Sequence, residues 1–287
     1  MRLGILIRIA VVVFLLQAGE AAGEDLHFHL APRDLVETRL RAYADNNRKR
    51  EQALKEMFKE AGCSDQQVTE QPAKGSSLPN VICTLPGSTE KSIIVGAHFD
   101  HVSEGHGVVD NWSGASLLPS LYEAVKGEPR KHTYIFVGFT DEERGMVGSR
   151  SYARNMTREQ IAATDAMVNI DTLGLAPTEY WDSRSDKVLA NLLVYIAGKL
   201  SAPLKGVDFE AIGSTDSEQF AARKIPSITV HSLTQETFNA RILHSYKDEL
   251  SAIRFDDYYQ TYHLMAAYIS FLDQVQRPSS PSDKKRR

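Results

Sequence analysis

Two rhythms of apolar residues share this chain. Short apolar runs occupy residues 92–97 (SIIVGA), 133–140 (TYIFVGFT) and 166–170 (AMVNI). Each is long enough for one buried strand and too short for a helix. Residues 67–71, 80–85 and 225–230 read as further strands, the last opened by Pro226. Between them, apolar positions recur at helical spacing. Leu35, Leu40, Tyr43, Leu54 and Phe58 predict a helix over residues 31–62, ended by Ala61-Gly62. Helices are also predicted over 113–125, 146–155, 186–200 and 255–275, with a short one inside 214–222. Strands alternating with helices predict an α/β fold: one sheet sandwiched between helices.

Length and composition narrow the picture little. The 287 residues suit one large α/β domain or two small ones, and the net charge of -4 is mild. There is no internal repeat or low-complexity linker within residues 31–275, so one domain is expected. No basic stripe with interleaved aromatics is present, which argues against nucleic acid as a partner.

The ends carry a different signal. Arg2 and Arg8, the apolar run 9–16 and the small residues Ala18, Gly19, Ala21, Ala22 and Gly23 form a secretory leader over residues 1–23. The alternative is an uncleaved anchor, although the run falls short of the ~20 residues a spanning helix needs. Residues 24–275 would then be the catalytic domain, and 276–287 a disordered basic tail. Export implies an oxidising compartment. Cys63 and Cys83 are the two cysteines; they form a disulfide there, or else stay as buried thiols.

The candidate chemistry sits where apolar runs end. His98, Asp100 and His101 follow the first, Glu142-Glu143 the second and Asp171 the third. Asp110 follows a glycine-rich loop, and His244 lies in a late loop. The crevice beyond the carboxyl ends of strands is where α/β sheets collect ligands. Imidazole and carboxylate without thiolate suit zinc, with manganese or cobalt as substitutes. Six of these, His98, Asp110, Glu142, Glu143, Asp171 and His244, suit two ions, with one carboxylate bridging a separation of roughly 3.5–4 Å. Taken singly, each residue also has a structural reading. A strand-end histidine can be hydrogen-bonded scaffold, Glu142-Glu143 the acidic first turn of a helix, and Asp171 an N-cap.

In combination these positions resemble the exported di-zinc aminopeptidases of the M28 clan, over roughly residues 80–270. The motifs are GAHFDH from Gly96, VDNWSG from Val109, TDEERGMVGSRSY from Thr140, NIDTLG from Asn169, STDSEQF from Ser214 and HSYKD from His244. The resemblance implies a single domain with a mixed central β-sheet flanked by helices on both faces, the phosphorylase/hydrolase-like zinc exopeptidase type. It implies two Zn2+: one held by His98 and Asp171, the other by Glu143 and His244, with Asp110 between them. Glu142 is then the general base, and Asp100 orients the His98 imidazole by accepting its far N–H. The implied partners are peptides with a free N-terminus. A monomer is expected, exported to the periplasm or medium, with no stable membrane association once the leader is cleaved.

There are departures. Leu243 stands where many relatives carry an aromatic oxyanion donor, and Tyr246 is an alternative donor. Ser217 follows Asp216 where relatives often have histidine, which leaves the role of that segment open. His101, His106, His132, His231 and His263 receive no role beyond structure or exposure. The inserted and dimerisation regions of larger relatives are missing, as in a minimal catalytic unit. Two other readings compete: a glutaminyl cyclase on the same fold with one working zinc, and a non-catalytic binding domain. Retention of His98, Asp171 and TDEERG argues against the cyclase, and Glu142 against the binding domain. Loops 178–185 and 234–242 would shape the specificity pocket.

Overall fold

A computed structural model describes residues 26–208 and 213–275; the expected leader and basic tail lie outside the described residues. Among the described residues, eight strands form one sheet. They are β1 (Val68–Pro72), β2 (Pro79–Leu85), β3 (Ser92–His98), β4 (Thr133–Phe139), β5 (Thr164–Ile170), β6 (Glu179–Trp181), β7 (Lys205–Val207) and β8 (Ser227–His231). The order is β1-β2-β4-β3-β5-β8-β6-β7. The four central strands β4, β3, β5 and β8 are parallel, while β1 with β2, β2 with β4 and β6 with β8 pair antiparallel. The sheet is therefore mixed. After β3 the chain places β4 on one side and then crosses to place β5 on the other. The strand order thus reverses between β3 and β5, and the crevice at their carboxyl ends is the position such sheets use for ligands.

Among the described residues ten α-helices accompany the strands: α1 (Arg33–Arg41), α2 (Asn47–Glu60), α3 (Ser113–Ala115), α4 (Leu118–Lys126), α5 (Val147–Asn155), α6 (Arg158–Ala163), α7 (Lys187–Leu200), α8 (Ser217–Ala221), α9 (Gln235–Asn239) and α10 (Phe255–Gln274). Side chains alternate across each strand, so each face of the sheet builds its own core. Ile93, Val95 and Phe136 face a large cluster with α1, α2, α4, α7 and α10 residues such as Leu40, Phe58, Leu121, Leu193 and Tyr268. Ile94, Val137 and Met167 face the opposite way, onto Tyr152 of α5 and Phe220 of α8. Both faces are covered, which explains why the central strands read as continuous apolar runs.

The helix expected over residues 31–62 is two helices. The Asn46 side chain accepts the N–H groups of Arg48 and Lys49 at 3.0 and 3.2 Å. It restarts the helix as an N-cap, a role that short polar side chains fill better than a helix interior. The helix expected from residue 113 is preceded by an irregular turn, Val108–Trp112, with non-helical dihedrals at Asp110 and Asn111. The short elements β6, β7, α6 and α9 give too few residues for periodicity to register. The Cys63–Cys83 disulfide is formed, with Cα atoms 6.5 Å apart, and ties the end of α2 to β2.

Candidate metal centre

Strand ends deliver most of the site. His98 closes β3, Glu142 and Glu143 follow β4, and Asp171 follows β5. Asp110 arrives on the turn before α3, and His244 on the loop between α9 and α10. The structure brings these residues together. His98 Nε2 lies 3.2 Å from Asp110 Oδ1 and 3.6 Å from Asp171 Oδ1. His244 Nε2 lies 3.2 Å from Asp110 Oδ2 and 2.9 Å from Glu143 Oε2. Two groups of donors, each compact enough for one cation, therefore share Asp110: His98, Asp110 and Asp171, and Asp110, Glu143 and His244.

The supporting contacts explain how the chain holds this arrangement. The sequence reading has the Asp100 carboxylate accept the far N–H of His98, and the geometry divides that role. His98 Nδ1 is 3.2 Å from the main-chain oxygen of Asp100 and 3.6 Å from its carboxylate. The carboxylate instead accepts the backbone N–H groups of Glu142 and Glu143 at 2.9 and 3.2 Å. Asp100 thus fixes the β4 exit that presents both glutamates. Asp171 is oriented by two hydroxyls: Thr172 donates to Oδ1 at 3.1 Å and Thr215 to Oδ2 at 2.9 Å. The Asp248 carboxylate accepts the N–H groups of Val109 and Asp110 at 2.7 and 3.1 Å, joining the His244 loop to the Asp110 turn. Fully buried Arg50 donates to the carbonyls of Phe99 and Gly107 at 3.2 and 3.0 Å, and so ties α2 to the same turn. Gly107 begins that turn at φ 53°, a conformation glycine adopts without strain.

Arg50, Thr215 and Asp248 escaped the sequence reading because their work is hydrogen bonding to backbone or to a ligand, which no spacing rule marks. Asp141, Met146, Thr172 and His244 also take positive φ without being glycine. Strained backbone of this kind collects where a site dictates geometry.

The electrostatics are those of crowded acids. Burial, with Asp216, Asp171 and Asp110 adding to it against the pull of His98, pushes the Glu142 carboxyl up to about 10. Burial also raises Glu143, whose Oε1 is buried without a hydrogen-bond partner. Asp110 goes the other way. Burial would raise it, but His244 and His98 together hold it below the usual carboxylate range. Asp216 is fully buried, and burial lifts it to about 7 against the pull of His98 and the Ser149 hydroxyl. No lysine or arginine forms an ion pair with Asp110, Glu142, Glu143 or Asp171 among the described residues. Buried negative charge of this density calls for cations. An all-nitrogen-and-oxygen donor set of imidazole and carboxylate fits zinc.

These residues line a cleft of about 1050 Å³. Its apolar wall includes Met146, Trp181, Leu233, Phe238 and Leu243, so both expected specificity loops contribute. Tyr246, the alternative oxyanion donor of the sequence reading, is 80% exposed and not among the lining residues. His231 is among them, although the sequence assigned it no role. Asn111, which matches a glycosylation sequon, is fully buried and hydrogen-bonded to the Ile170 carbonyl at 2.9 Å.

The model of peptidase family M28 matches residues 80–269. Leupeptin-inactivating enzyme 1 of Streptomyces exfoliatus is 27% identical over 158 residues, which cover 54% of this chain and 36% of that protein. The chain thus spans about a third of that curated relative. Among solved structures, BSAP, a zinc aminopeptidase from Bacillus subtilis, superposes with a TM-score of 0.63 at 21% identity, over 68% of this chain and 50% of its own. A glutaminyl cyclase from an Acidobacteriales bacterium superposes with a TM-score of 0.69 at 17% identity, over 90% of this chain and 99% of its own. At these identities the two structures share the fold.

Proposed function

The chain belongs to peptidase family M28, and on that premise we propose that it is an exported zinc aminopeptidase that removes N-terminal residues from peptides. His98 and Asp171 would hold one Zn2+, Glu143 and His244 the other, with Asp110 shared. The observation that carries this reading is the division of Asp110, one carboxylate oxygen toward each donor group. Export rests on the leader pattern of residues 1–23. Among the described residues no helix is long and apolar enough to cross a membrane.

When bound, two such ions supply a shared water of depressed pKa and polarise the scissile carbonyl. The chain's own residues do the rest. Glu142 takes the water's proton and passes it to the leaving amine. Its place suits that shuttle: it lines the cleft beside Glu143 and belongs to neither donor group. Asp100, by accepting the Glu142 and Glu143 N–H groups, fixes the backbone that presents both base and ligand. Thr172 and Thr215 fix the Asp171 carboxylate and so limit its reorganisation. The acidic end of the cleft favours a substrate's free α-ammonium, which suits exopeptidase action.

The direct test is hydrolysis of leucyl-p-nitroanilide by purified protein, with metal content measured in parallel. Activity should vanish on chelation and return with Zn2+. Glutaminyl cyclisation is a second reading, supported by the near-complete overlap with a cyclase of similar extent. Release of ammonia from an N-terminal glutaminyl peptide, without anilide hydrolysis and with one ion per chain, would favour it.

A further inference from the structure

The cleft is lined by Asp110, Glu142, Glu143 and Asp171 and, among the described residues, by a single arginine and no lysine. That arginine, Arg241, follows Ala240, the C-cap of α9, and takes φ 51°. Glycine is the usual residue at such a turn, because it bears the left-handed conformation without strain. The main chain of Arg241 is engaged within the loop: its N–H donates to the Phe238 carbonyl at 3.0 Å, and its carbonyl accepts the Ser245 hydroxyl at 2.8 Å. The side chain is exposed and has no hydrogen bond, ion pair or ring contact among the described residues. It does not serve the last carbonyls of α9, a common task for a basic residue after a helix. Lys247 does that, donating to the Ala240 carbonyl at 2.8 Å. Arginines beside other lining residues are also engaged. Arg144 pairs with Asp141 at 2.9 Å, Arg150 donates to the Gly145 carbonyl at 2.6 Å, and Arg184 pairs with Glu218.

We propose that Arg241 is a specificity-determining residue, whose guanidinium receives a carboxylate on the leaving part of the substrate. The inference rests on the aminopeptidase reading, in which the acidic end of the cleft takes the α-ammonium. A guanidinium fork fits a carboxylate through two parallel N–H···O bonds. Arg241 precedes His244 by three residues, so their Cα atoms lie within about 11 Å. The two termini of an extended tripeptide lie about 10 Å apart. A short peptide can therefore place its amine at the centre and its C-terminal carboxylate at Arg241. An acidic side chain on the second residue offers the same chemistry. An acidic side chain on the N-terminal residue would instead sit nearest the four acids, where repulsion disfavours it.

The test measures kcat/KM of the zinc-loaded enzyme on two pairs of peptides. One pair is leucyl-glycyl-glycine and its C-terminal amide; the other is leucyl-glutamyl-glycinamide and its glutaminyl analogue. At low salt the wild type should favour the acid of a pair by about 2–5-fold, the size of an exposed ion pair, and the gain should lie in KM. A gain in the first pair assigns the carboxylate to the C-terminus, and a gain in the second to a side chain. Salt at about 0.5 M should remove it. Arg241→Gln should bring the ratio near one, and Arg241→Lys, which keeps the charge and loses the fork, should retain part of it. Equal rates within both pairs, a gain that salt does not touch, or a ratio unchanged in Arg241→Gln would overturn the proposal. Should the variants lose zinc or fail to fold, the wild-type ratios at low and high salt decide by the same criteria. A wild type inactive on leucyl-p-nitroanilide sinks the aminopeptidase reading instead.

Discussion

The same strands carry an imidazole between two carboxylates at both ends, and the two ends behave oppositely. At the amino edge, His132 precedes β4 and stands between Asp165 of β5 and Asp273 of α10. Nδ1 is 3.0 Å from Asp273 and Nε2 is 3.2 Å from Asp165, which also takes Lys91 at 2.9 Å. Each carboxylate there has its cation. Burial alone would lower His132, but the two aspartates hold it up at about 9. At the carboxyl edge, His98 stands between Asp110 and Asp171, yet Glu142, Glu143 and Asp216 crowd in with no lysine or arginine paired to the carboxylates of the two donor groups among the described residues. A buried acid is tolerated when paired and costly when not. The first cluster is complete with its own protons and works as a clamp. The second is complete only with added positive charge.

The largest test of that contrast is Glu142→Gln. Removing the proposed base should cost about 10²–10⁴ in kcat with zinc content unchanged by mass spectrometry. His132→Gln should leave kcat within about twofold, since the clamp touches no part of the cleft. Next is Asp110→Ala, which removes the carboxylate that both donor groups use. Bound zinc, counted by elemental analysis after dialysis, should drop from two per chain to one or none, and hydrolysis with it. Asp100→Asn should act more mildly. An amide offers one acceptor where two N–H groups need one each, so activity or zinc affinity should fall about 10–100-fold.

The smallest effect belongs to the clamp and appears in stability alone. His132 is raised above its ordinary value of 6.5 to about 9. Its contribution is therefore full below about 6.5 and is lost as pH rises through about 9. Asp165 and Asp273 are lowered from 3.8, because the pull of His132, assisted by Lys91 at Asp165, outweighs their burial. They lose their share as pH falls below that ordinary value. Urea denaturation should show His132→Gln less stable by about 1–3 kcal/mol at pH 6, with the gap closing toward pH 10. A gap that persists at pH 10 would mean that the imidazole packs there rather than pairs.

How far the sequence foretold this architecture depends on what each element relies on. The central strands were readable because burial on both faces makes them apolar throughout, and residues 93–95 alone identify β3. His98, Glu142, Glu143 and Asp171 were readable because they sit where those runs stop, whereas Asp110 and His244, on loops, joined them through the motifs. What was hidden depends on contacts distant in sequence. The break between α1 and α2 turns on one asparagine side chain, and the turn at Asp110 on Arg50 and Asp248, 60 residues before it and 138 after it. His231 sits at the end of a strand like His98, but no carboxylate or second imidazole follows within three residues to mark it. Its place beside Asp171 emerges only once β8 pairs with β5.

On the proposed reading the carboxyl edge completes itself with two cations sharing Asp110. Zinc-edge anomalous diffraction from crystals grown with Zn2+ tests it directly. It predicts two peaks roughly 3.5–4 Å apart, one beside His98 and Asp171 and the other beside Glu143 and His244, with Asp110 between. A single peak, or peaks that leave Asp110 uncoordinated, would contradict it.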